Sequence, residues 1–360
     1  MIEKLKEAFE RNLTEGLEQG GAVSVWKDGR ELCTICGGEA RAGLAWQSST
    51  LVPIYSATKP AAAACLLQAL HDCCRDPELP VGDLWPQFPL PRLTIAQLLS
   101  HQGGLAALAE PVPLEDLGAC RHAIEMSKPL WCPPQHGYHP QTFGPMVDIL
   151  MTELTGKRVS DYWEERVRRP LGLEFFIGHV PESLYGQVAE LRTARMLGAM
   201  PRTPFYREYF DESSAVHRAF HSIEGYGSAR EMNTPAAWQV GSPAKGGVAS
   251  ARGLAMFYQA LLGKLSATPF APEVAEWMSS PQCSGLDRTL LEHTAFGCGA
   301  MCEPEEFFGK GGFGHAGAGG SLGLCRPDSG LSFAYVMRGM ELGNLPGKRV
   351  VRLLSAISDN

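Results

Sequence analysis

A serine and a lysine three positions apart, Ser56 and Lys59, are the residues of this 360-residue chain best suited to covalent chemistry. They belong to the sequence Tyr-Ser-Ala-Thr-Lys-Pro, which precedes an apolar run from Ala61 to Cys74 that predicts a buried helix. Side chains three apart on a helical turn face the same side, so the lysine ammonium would lie beside the serine hydroxyl. Such a pair is a nucleophile next to an activating group.

The Ser-x-x-Lys spacing occurs three times, and only local context separates the copies. Ser24 and Lys27 fall in an alternating run that predicts a strand, where positions three apart point to opposite faces. Ser242 and Lys245 lie in a segment rich in Pro and Gly, which predicts a loop. Ser56 alone opens a predicted helix, where free backbone N–H groups could hold an oxyanion. The alternative interpretation of Ser56 is a simple helix cap.

Length, charge and cysteine content limit the class of protein. A chain of 360 residues is expected to form two lobes. Its formal charge of −7, with both signs interspersed, makes nucleic acid an unexpected partner. The chain starts with a charged amphipathic helix and has no apolar run of about 18 residues, which predicts neither a secretion signal nor a membrane span. Eleven scattered cysteines indicate reduced thiols and a cytoplasmic location.

Three further motifs are interpreted as structural. Cys33 and Cys36 lie within a predicted strand and have no second pair, so no metal and no cofactor are expected. The Gly-rich run 309–314 matches a dinucleotide pattern but precedes no predicted helix. Ser321 stands in a Gly-x-Ser-x-Gly sequence like that of lipases, yet a hairpin follows it and no histidine comes after His315. Ser321 is therefore predicted to be a packing serine in a strand.

The predicted elements outline a sheet interrupted by helices. They are helix 2–18, strands 22–27 and 31–36, a helix after the capping box at Thr94, helices 143–154 and 161–168, a helix capped by Ser250, strand-like segments 313–325 and 331–337, and helix 346–357. Helix and strands at both chain ends predict an α/β (α+β) sheet lobe, residues 1–60 and 246–360, around a mostly helical lobe, residues 61–245.

One part of the predicted helical lobe is irregular. From 175 to 247 the periodicity is poor and aromatic residues are frequent, particularly between 205 and 238. A stretch of this kind indicates either a lid or substrate-binding excursion, or a peripheral helical layer. His101, in the sequence His-Gln-Gly-Gly, is predicted to serve a structural turn. No feature of the sequence indicates an oligomeric state.

Three sequence islands, in this order, resemble the serine hydrolases of the class C β-lactamase-like family, particularly the family VIII carboxylesterases. They are Ser56-Ala57-Thr58-Lys59, Tyr138-His139-Pro140 and His315-Ala316-Gly317, with similar surroundings at 98–105, 246–255 and 314–323. The resemblance covers residues 5 to 357. It implies the β-lactamase/DD-peptidase-like fold, in which an antiparallel sheet is flanked by N- and C-terminal helices and carries a mostly helical inserted lobe.

The resemblance also implies roles for residues. Ser56 would attack a carbonyl and carry the acyl group, while Lys59 accepts or relays its proton. Tyr138 would face both, where a nearby ammonium favours its phenolate and lets it act as general base. Backbone N–H groups of Ser56 and Ala318 would form the oxyanion hole. Substrate contacts would come from His139, His315, Ala316 and Gly317.

Two departures from the penicillin-recognising members bear on the substrate. Pro140 stands where those proteins carry Asn, and His315 stands where they carry Lys. A neutral His315 removes the fixed cation that pairs with a β-lactam or peptide carboxylate, and Pro140 removes an amide that would hold Lys59. The expected substrate is therefore a small neutral acyl ester, hydrolysed or transferred. The alternatives are an amide hydrolase acting on β-lactams or D-amino acid peptides, and a catalytically silent scaffold.

Overall fold

A computed structural model describes residues 1–193, 203–343 and 347–358. The strands are β1 Gly20–Lys27, β2 Arg30–Arg41, β3 Leu44–Ala45, β4 Val52–Tyr55, β5 Val112–Pro113, β6 Phe175–Ile177, β7 Ile223–Glu224, β8 Gly247–Ala249, β9 Cys283–Leu286, β10 His293–Phe296, β11 Phe313–Ala316, β12 Leu322–Arg326 and β13 Leu331–Met337. The helices are α1 Ile2–Thr14, α2 Lys59–Asp72, α3 Ile95–Leu99, α4 Leu117–Glu125, α5 Phe143–Thr155, α6 Val159–Trp163, α7 Arg169–Leu171, α8 Pro204–Tyr209, α9 Ala215–His221, α10 Ala229–Met232, α11 Pro235–Val240, α12 Ala251–Leu261, α13 Pro272–Ser279, α14 Glu305–Phe308 and α15 Lys348–Ser358.

The main sheet is built from both ends of the chain. Its six antiparallel strands have the order β11-β12-β13-β1-β2-β3, with Ser24 of β1 opposite Ala334 of β13 and Thr34 of β2. The predicted hairpin between β1 and β2 is confirmed, because Asp28 and Gly29 take the positive φ angles, 47° and 78°, that a tight two-residue turn requires. The sheet predicted from the sequence is therefore present.

Helices cover both faces of this sheet. A side chain at Gly37 of β2 would collide with Leu13 of α1, whereas one at Gly323 of β12 would collide with Tyr258 of α12. Gly37 pairs with Gly21 of β1. Gly323 pairs with Ala334 of β13, which in turn pairs with Ser24 of β1, so Gly323 lies on the same face as Ser24. Positions three apart on a strand face opposite sides, so α1 and α12 lie on opposite faces. Helix α15 packs beside α1.

The helix that follows Ser56 is buried all round. Every residue of α2 from Lys59 to Leu70 is buried, and α2 packs against α5, α6 and α13. Its run of alanines explains the close approach, because small side chains let neighbouring helices come near. The first turn of α2 therefore has a fixed place in the interior.

Local sequence signals fix several other boundaries. The capping box before α3 is confirmed: the Thr94 hydroxyl accepts from the Gln97 amide at 3.2 Å, and the Gln97 side chain accepts from the Thr94 amide at 3.1 Å. Gly156 ends α5 with a φ of 73°. The strand-like segment 313–325, by contrast, folds into the hairpin β11–β12, since Gly319 and Gly320 take φ angles of 85° and 116° in its turn.

The inserted region consists of helices and three short strands, of which β5 and β7 pair with each other and β6 joins a second sheet. Strand β6 pairs with β8, and β8 pairs with β4, so this three-stranded sheet contains residues from both predicted lobes. The lobe boundaries at 60 and 245 stay a prediction. Residues 175–247 contain short helices and turns, and the part at 194–202 lies outside the described residues. Within the described ranges, no helix has the length and apolarity needed to cross a bilayer.

Candidate active site

Ser56 lies at a sharp bend between β4 and α2. The preceding residue, Tyr55, has a φ of 48°, an uncommon conformation for a bulky side chain, and a 3₁₀ turn Ser56–Thr58 follows. Thr58 is the residue that caps α2, and its hydroxyl donates to the Tyr55 carbonyl at 2.6 Å. The Ser56 hydroxyl caps neither the 3₁₀ turn nor α2. The simple helix-cap interpretation of Ser56 is therefore wrong.

Lys59 is the residue that faces the Ser56 hydroxyl. Its Nζ lies 3.3 Å from Ser56 Oγ, 3.0 Å from the Pro140 carbonyl oxygen and 3.0 Å from the Ala244 carbonyl oxygen. The loss of an amide at Pro140 is thus offset by the carbonyl of the same residue, which holds Lys59 directly. Ala244 gave no signal in the sequence, because its contribution is a backbone oxygen 185 residues away from the lysine.

The surroundings of Lys59 favour its neutral form. Burial lowers the pKa of Lys59 well below its ordinary value, and the positive charge of Lys245 lowers it further. A neutral amine has two N–H groups and one lone pair. The carbonyls of Pro140 and Ala244 can accept the two N–H groups, which leaves the lone pair for the Ser56 hydroxyl. This arrangement can take a proton from Ser56.

Tyr138 lies across from the pair, but its phenol is held protonated. Burial raises the pKa of Tyr138, which proximity to the Ser56 hydroxyl offsets only in part. The Lys59 Nζ lies over the face of the tyrosine ring, 4.8 Å from its centroid. The Tyr138 hydroxyl is buried and has no well-formed hydrogen bond to any described residue. Burial therefore opposes the phenolate that the nearby ammonium was expected to favour, and the role of Tyr138 as general base stays a prediction.

His101 has two functions in this region. Its φ of 64° confirms the predicted turn. Its fully buried ring also lies 5.0 Å from the Tyr138 ring and stacks on the His139 ring at 5.4 Å, measured between centroids. The His139 amide donates to His101 Nδ1 at 3.3 Å. Burial and neighbouring groups lower the pKa of His101 well below its ordinary value, so its imidazole is neutral.

His315 completes the wall beside Tyr138. The two ring centroids are 5.6 Å apart, and His315 Nδ1 donates to the Ala316 carbonyl at 2.6 Å. Nε2 is therefore the lone-pair nitrogen, and it is buried without a partner among the described residues. Burial lowers the pKa of His315 to about 3, so the ring is neutral at pH 7. Burial likewise lowers the pKa of His139 to about 3, and its ring packs against Trp131.

The turn between β11 and β12 lies against the strand that leads to Ser56. A side chain at Gly317 would come within 2.1 Å of the Ile54 carbonyl oxygen, so only glycine fits there. The buried Ser321 hydroxyl donates to the same Ile54 carbonyl at 2.8 Å, which agrees with a packing role. Ser321 lies in the turn just before β12 and not, as the sequence predicts, in a strand. Ala318 projects from this turn and is exposed. A role of the Ser56 and Ala318 amides as an oxyanion hole stays a prediction.

The structure therefore brings Ser56, Lys59, Tyr138 and His315 into one cluster and leaves the other motifs outside it. Cys33 and Cys36 are free thiols on β2. Within the part of the chain that the structure describes, no His, Cys, Asp or Glu cluster is arranged to hold a metal ion. The Gly-rich run at 309–314 leads into strand β11 and no helix.

A sizeable cavity also lies elsewhere in the molecule. It measures about 630 Å³ and has Arg41, Tyr185, Glu190, Asn233 and Trp238 in its wall. None of the clustered residues contributes to this wall. This cavity therefore lies apart from the Ser56 cluster, which is identified by its side-chain geometry.

Comparison with known proteins agrees with this geometry. The family model "Beta-lactamase" matches residues 8–356. The esterase/beta-lactamase LipL of Mycobacterium tuberculosis (strain ATCC 25618 / H37Rv) is 29% identical over 339 residues, which are 88% of this chain and 76% of that protein. A penicillin-binding protein homologue from Caulobacter crescentus is 28% identical with a TM-score of 0.87, over 98% of this chain and 96% of the homologue. A family VIII carboxylesterase is 28% identical with a TM-score of 0.86, over 98% of this chain and 95% of the esterase. The chain therefore belongs to the Beta-lactamase family.

Proposed function

We propose that this protein is a serine hydrolase that cleaves small acyl esters through an acyl-Ser56 intermediate. The observation that carries the proposal is the 3.3 Å contact between Ser56 Oγ and the Nζ of a fully buried lysine. An unprotonated amine at that distance can accept the serine proton during attack on a carbonyl carbon. The esterase relatives agree with this chemistry.

The first half of the reaction forms the acyl-enzyme. As Ser56 Oγ attacks the ester carbonyl, its proton passes to the lone pair of Lys59. The amides of Ser56 and Ala318 stabilise the resulting oxyanion, each by about 3 kcal/mol if they match measured oxyanion donors. Tyr138, as a protonated phenol, donates its proton to the departing alkoxide and recovers one from Lys59. The C–O bond of the ester breaks, and the alcohol leaves.

The second half releases the acid. A water molecule attacks the acyl-Ser56 carbonyl and loses its proton to the Tyr138–Lys59 pair. The bond between Ser56 Oγ and the acyl carbon breaks, and the proton returns to Ser56. An alcohol in place of water would give acyl transfer by the same steps. The three histidines beside Tyr138, namely His101, His139 and His315, are neutral, so none of them adds a positive charge next to the reacting groups.

A second candidate function is hydrolysis of β-lactams or of D-amino acid peptides. The names of the LipL protein and of the penicillin-binding protein homologue favour it. The neutral ring of His315 disfavours it, since these substrates carry a carboxylate that needs a cation. A silent scaffold is disfavoured because Ser56, Lys59 and Tyr138 are all present and close together. The esterase function is therefore the first choice.

The proposal includes a cytoplasmic location and a small-molecule acyl ester as the partner. All eleven cysteines are free thiols, two of them exposed and adjacent, at Cys73 and Cys74. Free thiols persist in reducing compartments and oxidise outside them. Thiol titration of the protein freshly prepared from its native host would test this location. Eleven titratable thiols per chain are expected after unfolding, and disulfides would contradict the proposal.

Turnover of two chromogenic substrates tests the proposed function. p-Nitrophenyl butyrate and a chromogenic cephalosporin are incubated with the wild-type protein and with Ser56→Ala. We expect faster turnover of the ester, lost in the variant. Faster turnover of the cephalosporin would favour the second candidate function. Wild-type protein that turns over neither substrate, nor any of a panel of acyl esters, would contradict the esterase proposal.

A further inference from the structure

A fully buried carboxylate holds the backbone of Tyr138. Asp287 begins the turn between β9 and β10 and has no exposed surface. Both of its carboxylate oxygens lie 3.0 Å from the Tyr138 amide nitrogen. The same carboxylate accepts from the amides of Thr289 and Leu290, both at 2.7 Å, and from the Thr294 hydroxyl at 3.2 Å. Asp287 thus joins a distant turn to the proposed proton donor.

This carboxylate is unusual because uncharged donors surround it. In the described ranges, no lysine, arginine or histidine forms an ion pair with Asp287. Asp148, another buried aspartate, has the common arrangement, with Arg158 Nη2 at 2.6 Å. Burial of a carboxylate without a cation is costly, and hydrogen bonds must offset the cost. The donors of Asp287 come from its own turn, from Thr294 of β10 and from Tyr138, so the Tyr138 amide is part of what makes its burial possible.

The neighbouring residues of the Tyr138 loop are also held, but by other groups. The His136 carbonyl accepts from the Arg288 amide at 3.2 Å, and the Gly137 amide donates to the His101 carbonyl at 3.2 Å. His136 Nε2 lies 2.9 Å from the Thr294 hydroxyl, which itself contacts Asp287. The only acceptor of the Tyr138 amide among the described residues is Asp287. This carboxylate is therefore the group that holds the Tyr138 backbone amide.

We propose that Asp287 is a positioning residue that fixes Tyr138 beside Ser56 and Lys59. This inference rests on the proposed function, in which Tyr138 transfers a proton to the leaving group. The phenol has no well-formed hydrogen bond of its own to aim it, so the aim comes from the backbone at Tyr138 and from ring packing against Phe296 and His315. Asp287 acts on the rate through this backbone contact and does not touch the substrate.

A double-mutant cycle between Asp287→Asn and Tyr138→Phe tests the inference. Asparagine keeps the size of the side chain, but its NH₂ group replaces one carboxylate oxygen. A donor then faces a backbone N–H group that needs an acceptor. With ethyl butyrate, whose alkoxide needs a proton to leave, Asp287→Asn should lower kcat by about 10- to 100-fold, as expected for a misaligned group. KM should stay within about threefold, because binding is not affected. In the Tyr138→Phe background, Asp287→Asn should cost less than about twofold.

Asp148→Asn and Thr294→Val provide the controls. Asp148→Asn also disturbs a buried carboxylate, so it should lower the unfolding temperature while kcat at 25 °C stays within about threefold. Thr294→Val keeps the Asp287 carboxylate and removes one of its donors. It should lower kcat by less than Asp287→Asn, and it provides the cycle with Tyr138→Phe if Asp287→Asn does not fold.

The outcomes separate the inference from the proposed function. Equal losses for Asp287→Asn in the wild-type and Tyr138→Phe backgrounds would show a merely structural role and overturn the inference alone. So would a kcat for Asp287→Asn within twofold of wild type. Ester turnover that survives Ser56→Ala would overturn the proposed function, and the inference with it. A loss of kcat by Asp287→Asn that occurs with Tyr138 present, and not in the Tyr138→Phe background, supports the positioning role.

Discussion

Two Ser-x-x-Lys turns lie close together in this molecule, and only one of them brings the serine hydroxyl to the lysine. In the turn that opens α2, Lys59 Nζ lies 3.3 Å from Ser56 Oγ. In the loop before β8, Lys245 Nζ donates instead to the Gly225 carbonyl at 2.9 Å, and the buried Ser242 hydroxyl has no partner among the described residues. The same spacing thus gives a contact on a helical turn and none in a loop.

The two lysines also differ in their protonation. Burial lowers the pKa of Lys245 to about 8, while the charge of Glu231 opposes this shift, so most Lys245 side chains are protonated at pH 7. Burial also lowers the pKa of Lys59, well below its ordinary value, and the charge of Lys245 adds to the effect. The second lysine therefore helps to keep the first one neutral. Both turns bury a lysine, but only in the turn that opens α2 does the lysine Nζ contact the serine hydroxyl.

The largest expected difference between the two turns is the effect of removing the serine. Ser56→Ala should lower kcat for p-nitrophenyl butyrate by about 10³ or more, because the acyl-enzyme cannot form. Ser242→Ala is the matched control and should change kcat by less than about threefold, since the Ser242 hydroxyl contacts no reacting group. Steady-state assays of both variants check this. Activity of Ser56→Ala within tenfold of wild type would exclude Ser56 as the nucleophile.

Tyr138 adds a second expected difference, because its ring lies against Lys59. Tyr138→Phe should slow hydrolysis of ethyl butyrate by about 10², the usual contribution of a general acid. p-Nitrophenyl butyrate should lose less, since p-nitrophenolate leaves without a proton. Rates for the two esters, measured on one enzyme preparation, give the comparison. Equal losses for both esters would assign Tyr138 to attack by Ser56 and not to departure of the alcohol.

The pH dependence of kcat/KM tests the coupling between the two lysines. In the proposed mechanism Lys59 acts as a neutral amine, so kcat/KM should be high above the pKa of Lys59 and should fall as the pH drops through it. Lys245→Met removes the charge that lowers this pKa, so the pKa rises and the acid limb moves to higher pH. His139 and His315, with pKa values lowered to about 3, do not titrate in this range, and His101 is also held neutral.

A matched variant separates this effect from a general change in charge. Lys264→Met removes a half-exposed lysine that pairs with Asp28 at 3.5 Å, so it should leave the acid limb in place. Profiles of kcat/KM between pH 4 and 10 for the three proteins provide the measurement. An acid limb that is unchanged in Lys245→Met, or that moves to lower pH, would show that Lys245 does not tune Lys59.

The smallest expected effect concerns Ser321, which lies in neither turn and supports the site by packing. Ser321→Ala removes the hydrogen bond to Ile54 and should lower the free energy of unfolding by about 1 to 3 kcal/mol, the cost of a buried unsatisfied carbonyl. Its kcat should change by less than about threefold. Ser332→Ala removes a similar bond, to the Ala255 carbonyl at 2.8 Å, and is the control for urea denaturation. A Ser321→Ala variant that folds but has lost ester turnover would contradict the packing role.

The features that the sequence predicted correctly are local in the chain. The Ser56–Lys59 contact, the capping box at Thr94 and the helix end at Gly156 each depend on residues within four positions, so propensity and spacing determine them. The turn at Asp28 and Gly29 belongs to the same class. Residues within four positions of each other can adopt few different arrangements, so the local sequence is enough to predict these contacts.

The features that the sequence did not predict depend on distant segments. The Ala244 carbonyl reaches Lys59 across 185 positions, and the Asp287 carboxylate reaches Tyr138 across 149. No periodicity records such contacts. The direction of the Tyr138 pKa shift could not be read from the sequence for the same reason, because burial by residues from several elements outweighs the one neighbour visible in the motif. Motif order predicts the nucleophile, and tertiary packing shifts the pKa values of the groups around it.

Trapping of the acyl group is the most direct test of the central claim. Wild-type protein, Ser56→Ala and Ser242→Ala are each mixed with p-nitrophenyl butyrate, quenched in acid within milliseconds to seconds and digested for mass spectrometry. A butyryl group on Ser56 in wild type and in Ser242→Ala, absent from Ser56→Ala, is the predicted result. A butyryl group on any other residue of an active wild-type enzyme, or one that persists in Ser56→Ala together with turnover, would contradict the acyl-Ser56 mechanism.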